Sequence, residues 1–405
     1  MTTHTTDSVA PCKRCQEPSV LISRSEPFCK KCFVKFVQYK QKKRMEDYKV
    51  NYTPGAKVPD VLLPLSFGRS SLALLDMVAD MLRFQSSTHG GRQGLHLHAV
   101  HIDETGIHGM DGDVQETLQN LRAKYPECST ITSVKLESFL EDPSVNREVV
   151  KIVASTSTVS PNNTKELLAM LVKRTPQQDM LNIIRLKIIE KVARDLNCTT
   201  IIWGHSMTRL AELVISLTAK GRGNTISDIL FSEQSEPRIL YPLNEVLGSE
   251  VADYIQVQSL DQFVLSSLSR RPATTKLQSI DELVNQYFVS VEQGFPSVVS
   301  TVVKTAAKLA PSSAVYESRQ LEVSTCKICG GPAMPDSLEW LEKITVNFPP
   351  SADGLQENQD HQESKDTSNE LCYGCITLFK DSMVSELNWP KRSTKEEVLA
   401  EYSLE

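Results

Sequence analysis

The chain reads as an α/β protein with a mostly parallel sheet, carrying a cysteine-rich module at each end. Three observations predict this. Short apolar runs at 61–65, 95–102, 130–136 and 199–203 alternate with helical patterns, the signature of strands joined by helical crossovers. The first run passes through a tight polar turn, Ser66-Phe67-Gly68-Arg69-Ser70-Ser71, straight into a helix-spaced segment. Eight of the ten cysteines fall into four Cys-x-x-Cys pairs near the two ends of the 405 residues.

The first module spans residues 11–33. Cys12 and Cys15, then thirteen residues, then Cys29 and Cys32 match a four-thiolate zinc ribbon or knuckle, because each turn offers two sulfurs and two turns complete a tetrahedron. Buried free thiols and a redox pair are the competing readings. Residues 1–7 are polar and lack a signal-peptide core, which favours zinc over disulfides and predicts a soluble cytoplasmic protein. No apolar run approaches the ~18 residues of a membrane span. A helix over 33–44 follows. There Lys35, Lys40, Lys42, Lys43 and Arg44 are candidates to neutralise RNA phosphates, while Phe33, Phe36 and Tyr39 pack or stack. A solvated basic face is the plainer alternative. Residues 1–50 carry eleven Lys/Arg against five Asp/Glu within a chain of net charge −6. A basic head on an acidic body suggests a polyanion docked at one end.

In the strand–turn–helix unit at 60–83, Leu72, Leu75, Met77, Val78 and Leu82 mark the helix, with Ser70 or Ser71 as natural N-caps. Free N–H groups at such a helix start favour an anion, so Ser66, Gly68, Ser70 and Ser71 are the candidate nucleotide-loop residues. An ordinary corner would look much the same. In the second strand His96, His98 and His101 read as a half-exposed sheet face rather than a metal set. Asp103-Glu104 ends that strand, at the sheet edge where parallel sheets bind ligands. A helix at 113–124 and a third strand at 130–136 come next, and 145–175 has no clear pattern.

Residues 176–197 form an amphipathic helix with Met180, Ile183, Ile184, Ile188, Val192 and Leu196 on one stripe. The fourth strand ends in Gly204-His205-Ser206. A helix over 207–220 and a flexible basic turn, Gly221-Arg222-Gly223-Asn224, follow. From 237–243 the chain enters helical segments that run to about 309. Cys326, Cys329, Cys372 and Cys375 make the second zinc module, their pairs separated by 42 residues. The excess near 351–370 is polar and acidic, a composition that predicts a disordered insert. The expected domains are 1–50, 51–250, 251–320 and 321–405.

Together these pieces resemble the PP-loop tRNA thiolation proteins, which have an adenine-nucleotide α-hydrolase-like fold. The resemblance is closest to the cytoplasmic tRNA 2-thiolation protein 2 family. It rests on the zinc module before the sheet, the nucleotide turn, Asp103-Glu104-Thr-Gly-Ile107, and Gly204-His205-Ser206 with Ala211-Glu212. Active members read Ser-Gly-Gly-x-Asp-Ser at the turn; here Phe67 occupies a glycine position and Ser70 the position of the magnesium-holding Asp. The second motif, Gly-His-Asn-x-Asp-Asp, becomes Gly204, His205, Ser206, Met207, Thr208, Arg209. Active members also carry central cysteines for sulfur transfer or an iron–sulfur cluster, whereas this chain has only Cys128 and Cys198 between its two modules.

The resemblance therefore implies a subunit with no catalytic residues of its own. It would pair with a catalytic PP-loop paralog, which supplies the ATP and Mg²⁺ chemistry, and would help bind tRNA, with sulfur from a ubiquitin-like carrier. Zinc would be structural at both sites, and no membrane is involved. The rival readings are an autonomous ATP-dependent tRNA sulfurtransferase and a zinc-ribbon RNA-binding scaffold unconnected with thiolation.

Overall fold

A computed structural model of the chain describes residues 10–107, 109–141, 163–171, 173–231, 236–265, 278–310, 324–334, 337, 341 and 371–379. The insert expected near 351–370 and most of 145–175 lie outside them.

The first module is a hairpin, β1 (Leu21–Ser23) and β2 (Glu26–Phe28), followed by helix α1 (Lys30–Arg44). Arg24 and Ser25 both take positive φ, 48° and 65°, the backbone a two-residue hairpin turn of the right twist requires. Cys29 is the N-cap of α1, so the second cysteine pair straddles the helix start.

The body alternates β3 (Asp60–Pro64), α2 (Arg69–Thr88), β4 (His96–Asp103), α3 (Val114–Lys124), β5 (Thr130–Lys135), the short α4 (Ser138–Glu141) and α5 (Thr164–Ala169), α6 (Arg174–Asp195), β6 (Thr200–Ile202), α7 (Met207–Ala219), α8 (Ile226–Phe231) and β7 (Arg238–Leu240). Helices α9 (Gly248–Val257), α10 (Ile280–Gly294) and α11 (Pro296–Ala306) follow. The last described elements are the hairpin β8 (Ser324–Thr325) and β9 (Pro332–Ala333), and α12 (Tyr373–Phe379).

Five strands form one parallel sheet in the order β5-β4-β3-β6-β7. The chain runs outward from β3 through β4 to β5, then returns to the other side of β3. The order reverses between β3 and β6, and parallel sheets bind ligands beyond the strand ends at such a point. Strand β7 is a correction, since 237–243 was expected to lead directly into helices. It is three residues long with Pro242 just beyond it, too short to show a period of its own.

Alternation along β3 sorts the core. Val61 and Leu63 face α2, α3 and α9, while Leu62 faces α6 with Val100 and Ile201. Phe28, Phe33, Val37, Met45 and Tyr48 of the first module join the same core as α2. Helix α6 buries more than its expected stripe. Ile189 and Ala193 meet the sheet, while Met180, Leu181 and Ile184 pack with Ile328, Ile376 and Phe379 of the second module. Among the described residues no helix is long and apolar enough to cross a membrane.

Candidate functional site

The turn after β3 sits at the switch point. Helix α2 starts at Arg69, not at or after Ser70, and its N-cap is Gly68, with no side-chain cap. The serines have other partners. Ser71 Oγ donates to the Gly68 carbonyl at 3.0 Å and lies 3.2 Å from Ser66 Oγ, which accepts from Gly68 N at 3.3 Å. Ser66 stays exposed, Gly68 and Ser70 are half-buried, and Ser71 is buried. These contacts hold the two serines within the turn, with Arg69 exposed beside it.

Phe67 differs from expectation in an instructive way. The resemblance puts Phe67 at a glycine position, where a side chain would be expected to crowd the turn. The ring instead points into the core, fully buried and 4.4 Å from the His101 ring, while its backbone holds φ +56°. That left-handed conformation is one a glycine adopts without strain. The Phe67 carbonyl accepts a hydrogen bond from Leu265 N at 3.1 Å, so the segment after α9 closes over the turn. His101 is buried too, its Nδ1 2.8 Å from the Leu65 carbonyl, and burial pulls its pKa below the usual range. His98 lies 3.0 Å from Asp60 and 2.9 Å from Thr130. Two of the three histidines are therefore built into the fold, and only His96 is exposed.

The turn after β6 lies against the turn after β3. A Cβ on Gly204 would come within 2.7 Å of Ser71 Cα, so only glycine allows the two turns to touch. His205 is stacked between Trp203 and Tyr241, at ring distances of 5.4 and 5.5 Å. Burial, with Arg209 nearby, lowers its pKa to about 3 and keeps it neutral. Ser206 is the N-cap of α7 and accepts from Arg209 N. Thr208 and Arg209, which the resemblance aligns with carboxylates, have structural partners here. Thr208 hydrogen-bonds Glu292 of α10 and accepts from Gly248 N at 2.9 Å. Arg209 pairs with Glu212 at 2.8 Å, and Glu212 accepts from Asn285 of α10. On β4, Asp103 accepts from Thr105, and Glu104 takes both arms of Arg185.

Cys128 and Cys198 precede β5 and β6, so in a parallel sheet both lie at the edge opposite the switch point. Burial pushes the Cys128 thiol up to about 12 and the Cys198 thiol up to about 11. Neither is a ready thiolate.

Each set of four paired cysteines converges. The sulfurs of Cys12, Cys15, Cys29 and Cys32 lie within 4.8 Å of one another, as do those of Cys326, Cys329, Cys372 and Cys375. Four sulfurs about a zinc ion sit roughly 3.8 Å apart, so both sets fit a tetrahedral metal. They differ in surroundings. Cys15 is exposed, whereas Cys326, Cys372 and Cys375 are buried. The turn expected to be flexible, Gly221-Arg222-Gly223-Asn224, is instead the floor of the second set. Arg222 is only 5% exposed, and a Cβ on Gly374 would meet its Cγ at 2.4 Å.

The basic helix divides into two groups. Lys40 is buried and reaches Glu250 at 3.2 Å, and Arg44 pairs with Glu245 at 2.9 Å. These two therefore dock the first module on α9 and the turn before it, and are removed from the phosphate-facing set. Lys35, Lys42 and Lys43 are exposed, with Tyr39 exposed among them at helical spacing. Phe84 of α2, 61% exposed, lies 5.7 Å from Lys42 Nζ. Sequence periodicity could not single out Phe84, because a lone aromatic on a helix normally reads as core.

A family model described as cytoplasmic tRNA 2-thiolation protein 2 matches residues 279–377, which include α10, α11 and the second cysteine set. The protein of that name from Yarrowia lipolytica is 33% identical over 97% of this chain and 99% of its own length. The chain belongs to the cytoplasmic tRNA 2-thiolation protein 2 family. Another member, from Scheffersomyces stipitis, is 34% identical over 98% of the chain and 96% of its own length, and one from Saccharomyces cerevisiae is 27% identical over 95% and 94%. Among solved structures, the U34-tRNA thiolase NcsA from Methanococcus maripaludis, determined with its 4Fe–4S cluster, superimposes with a TM-score of 0.54. It is 18% identical and covers 83% of this chain and 97% of its own. That likeness shows the adenine-nucleotide α-hydrolase-like fold of this family member.

Proposed function

We propose that the chain is the non-catalytic subunit of a cytoplasmic complex that 2-thiolates the wobble uridine of tRNA. It pairs with a catalytic PP-loop paralog and helps bind tRNA, with sulfur supplied by a ubiquitin-like carrier. The observation that carries this reading is the state of the switch point. Ser70, Thr208 and Arg209 stand where magnesium-holding carboxylates are needed, and a hydroxyl or guanidinium does not replace them. Thr208 and Arg209 are also tied to α10 and Glu212. The two cysteines of the sheet domain lie at its far edge as protonated thiols. ATP and Mg²⁺ therefore act through the partner.

Lys35, Lys42 and Lys43, with Tyr39 and Phe84, form the RNA-facing patch, where cations meet phosphates and aromatic faces stack on bases. Zinc is the metal that best suits two sets of four thiolates. Cys12, Cys15, Cys29 and Cys32 would hold one ion, and Cys326, Cys329, Cys372 and Cys375 the other. Bound there, zinc supplies cross-links rather than reactivity, since four protein ligands leave no open position.

The deciding experiment gives the purified chain tRNA, ATP, Mg²⁺ and a sulfur donor, and measures 2-thiouridine by nucleoside mass analysis. No product is expected until the paralog is added. Ser70→Ala or Cys198→Ala in the complex should change the rate by less than about threefold, under ~1 kcal/mol of barrier. ATP-dependent thiolation by the chain alone, lost in either variant, would establish the autonomous sulfurtransferase instead.

A further inference from the structure

The two cysteine sets are alike in sequence but are held differently. In the second, Arg222 Nη2 donates to Cys375 Sγ at 3.2 Å. Backbone N–H groups of Gly331 and Cys375 donate to Cys329 and Cys372 Sγ, each at 3.4 Å. Arg222 is itself fixed. Its Nη1 is paired with Asp179 Oδ2 of α6 at 2.5 Å, and the other Asp179 oxygen accepts from Lys220 at 2.8 Å. Lys220 also reaches Asp281, in the first turn of α10, at 3.1 Å. Lys220, Arg222 and Asp179 are all buried. A guanidinium carried at this depth needs a reason, because desolvating it is costly. The carboxylates of Asp179 and Asp281 are balanced by the two cations Lys220 and Arg222, and Arg222 turns its Nη2 to a sulfur.

The first set is arranged otherwise. Lys13 pairs with Glu26, and the Arg14 guanidinium lies 5.5 and 5.4 Å from the Phe28 and Phe36 ring centres. Both cations between its first two cysteines thus turn to other partners.

We propose that Arg222 is a positioning residue for the C-terminal metal centre, and that it makes this centre the slower of the two to release its ion. The inference rests on the reading that both cysteine sets bind metal. Four thiolates around a divalent cation carry a net charge of −2, which is costly in a buried site without compensation. Arg222 supplies a positive charge and an N–H···S bond to one ligand, and partners of this kind typically change metal retention roughly 10–100-fold. The Asp179 pair holds the guanidinium in place from inside the α/β body, so the metal centre and the α6–α7 packing share one network.

The test uses full-length, zinc-loaded protein mixed with excess EDTA, with metal release followed over time. Two phases are expected, and Cys12→Ser should delete the faster. Arg222→Gln should accelerate the slower phase roughly 10–100-fold. It should also shift the thiolate-to-cobalt charge-transfer bands of the Co²⁺-substituted protein, which loosened packing alone would leave unmoved. Arg222→Lys keeps the charge without the fork and should release at an intermediate rate. Should Arg222→Gln fail to fold, Arg222→Lys decides: a faster slow phase with shifted bands supports the proposal. Release at the wild-type rate with unshifted bands overturns it while leaving metal binding intact. A chain that takes up neither Zn²⁺ nor Co²⁺ overturns this proposal and the metal reading together.

Discussion

Phe67 shows how a side chain can stand at a turn position whose backbone favours glycine. Its backbone takes the left-handed conformation at φ +56° and its ring is buried against His101. Restoring glycine would relieve about 1 kcal/mol of backbone strain, yet deleting a buried phenylalanine ring costs about 3–5 kcal/mol. Phe67→Gly should therefore lower unfolding stability by about 2–4 kcal/mol in a denaturant titration. It should also create no thiolation activity, since Ser70, Thr208 and Arg209 remain; an unchanged midpoint would show that the ring is not part of the core. The cations of α1 separate in the same manner. Lys42→Glu with Lys43→Glu should weaken tRNA binding and make the log–log salt slope shallower by about one unit per phosphate lost. Lys40→Met should leave that slope alone and shift the melting temperature. A slope that responds to Lys40 and ignores Lys42 and Lys43 would reverse the assignment. Sequence reading put all five cations in one group, because helical spacing says which residues share a face but not which neighbour covers it.

The first module is joined to α9 through Glu250. This buried carboxylate accepts from Ser23 at 3.0 Å, Arg24 at 2.8 Å, Lys40 at 3.2 Å and Leu247 N at 2.9 Å. Burial would raise its pKa, but Arg24, Lys40 and the Leu247 N–H more than offset that and hold it below the ordinary range. Burial also pulls Lys40 down in spite of Glu250, so the half-exposed Arg24 is the firmer of the two cations. The folded pKa lies below the unfolded value of about 4.3. The stabilisation is thus complete above that pH and is lost as pH falls through the folded pKa. Glu250→Gln should cost about 3 kcal/mol at neutral pH, the scale of breaking a buried ion pair. The difference between wild type and variant should shrink below about pH 4. A difference that stays constant down to pH 3 would mean that the carboxylate charge is not what joins these elements.

The parts of the chain share their cores. Phe28, Phe33 and Val37 of the first module pack in the cluster that holds Val61, Leu74 and Tyr254, and α6 lies between the sheet and the second module. Asp76 is buried within that shared core, accepting from Tyr125 and Tyr254, each at 2.8 Å. Removing residues 1–50 would expose this cluster and leave Glu250 without its cations. The shortened chain should melt at a clearly lower temperature in calorimetry. Melting at the full-length temperature would show instead that the head is an independent module.

Much of this was written locally. The Cys-x-x-Cys spacings mark both four-cysteine sets, and the alternation of apolar runs with helical periods marks the parallel sheet. The substitutions at Phe67, Ser70, Thr208 and Arg209 mark the altered switch point, since each of these is a matter of residue type and interval. Other features depend on partners far away in the chain. Strand β7 exists because β6 offers it an edge, Arg222 is buried because Cys375 and Asp179 lie on either side of it, and Lys40 faces Glu250, 210 residues away. A side chain's solvent, charge partners and depth are set by elements that meet only once the chain has folded. Sequence spacing therefore determined which residue types stand at each motif, and three-dimensional packing decided which charges hold the fold together and which are left exposed.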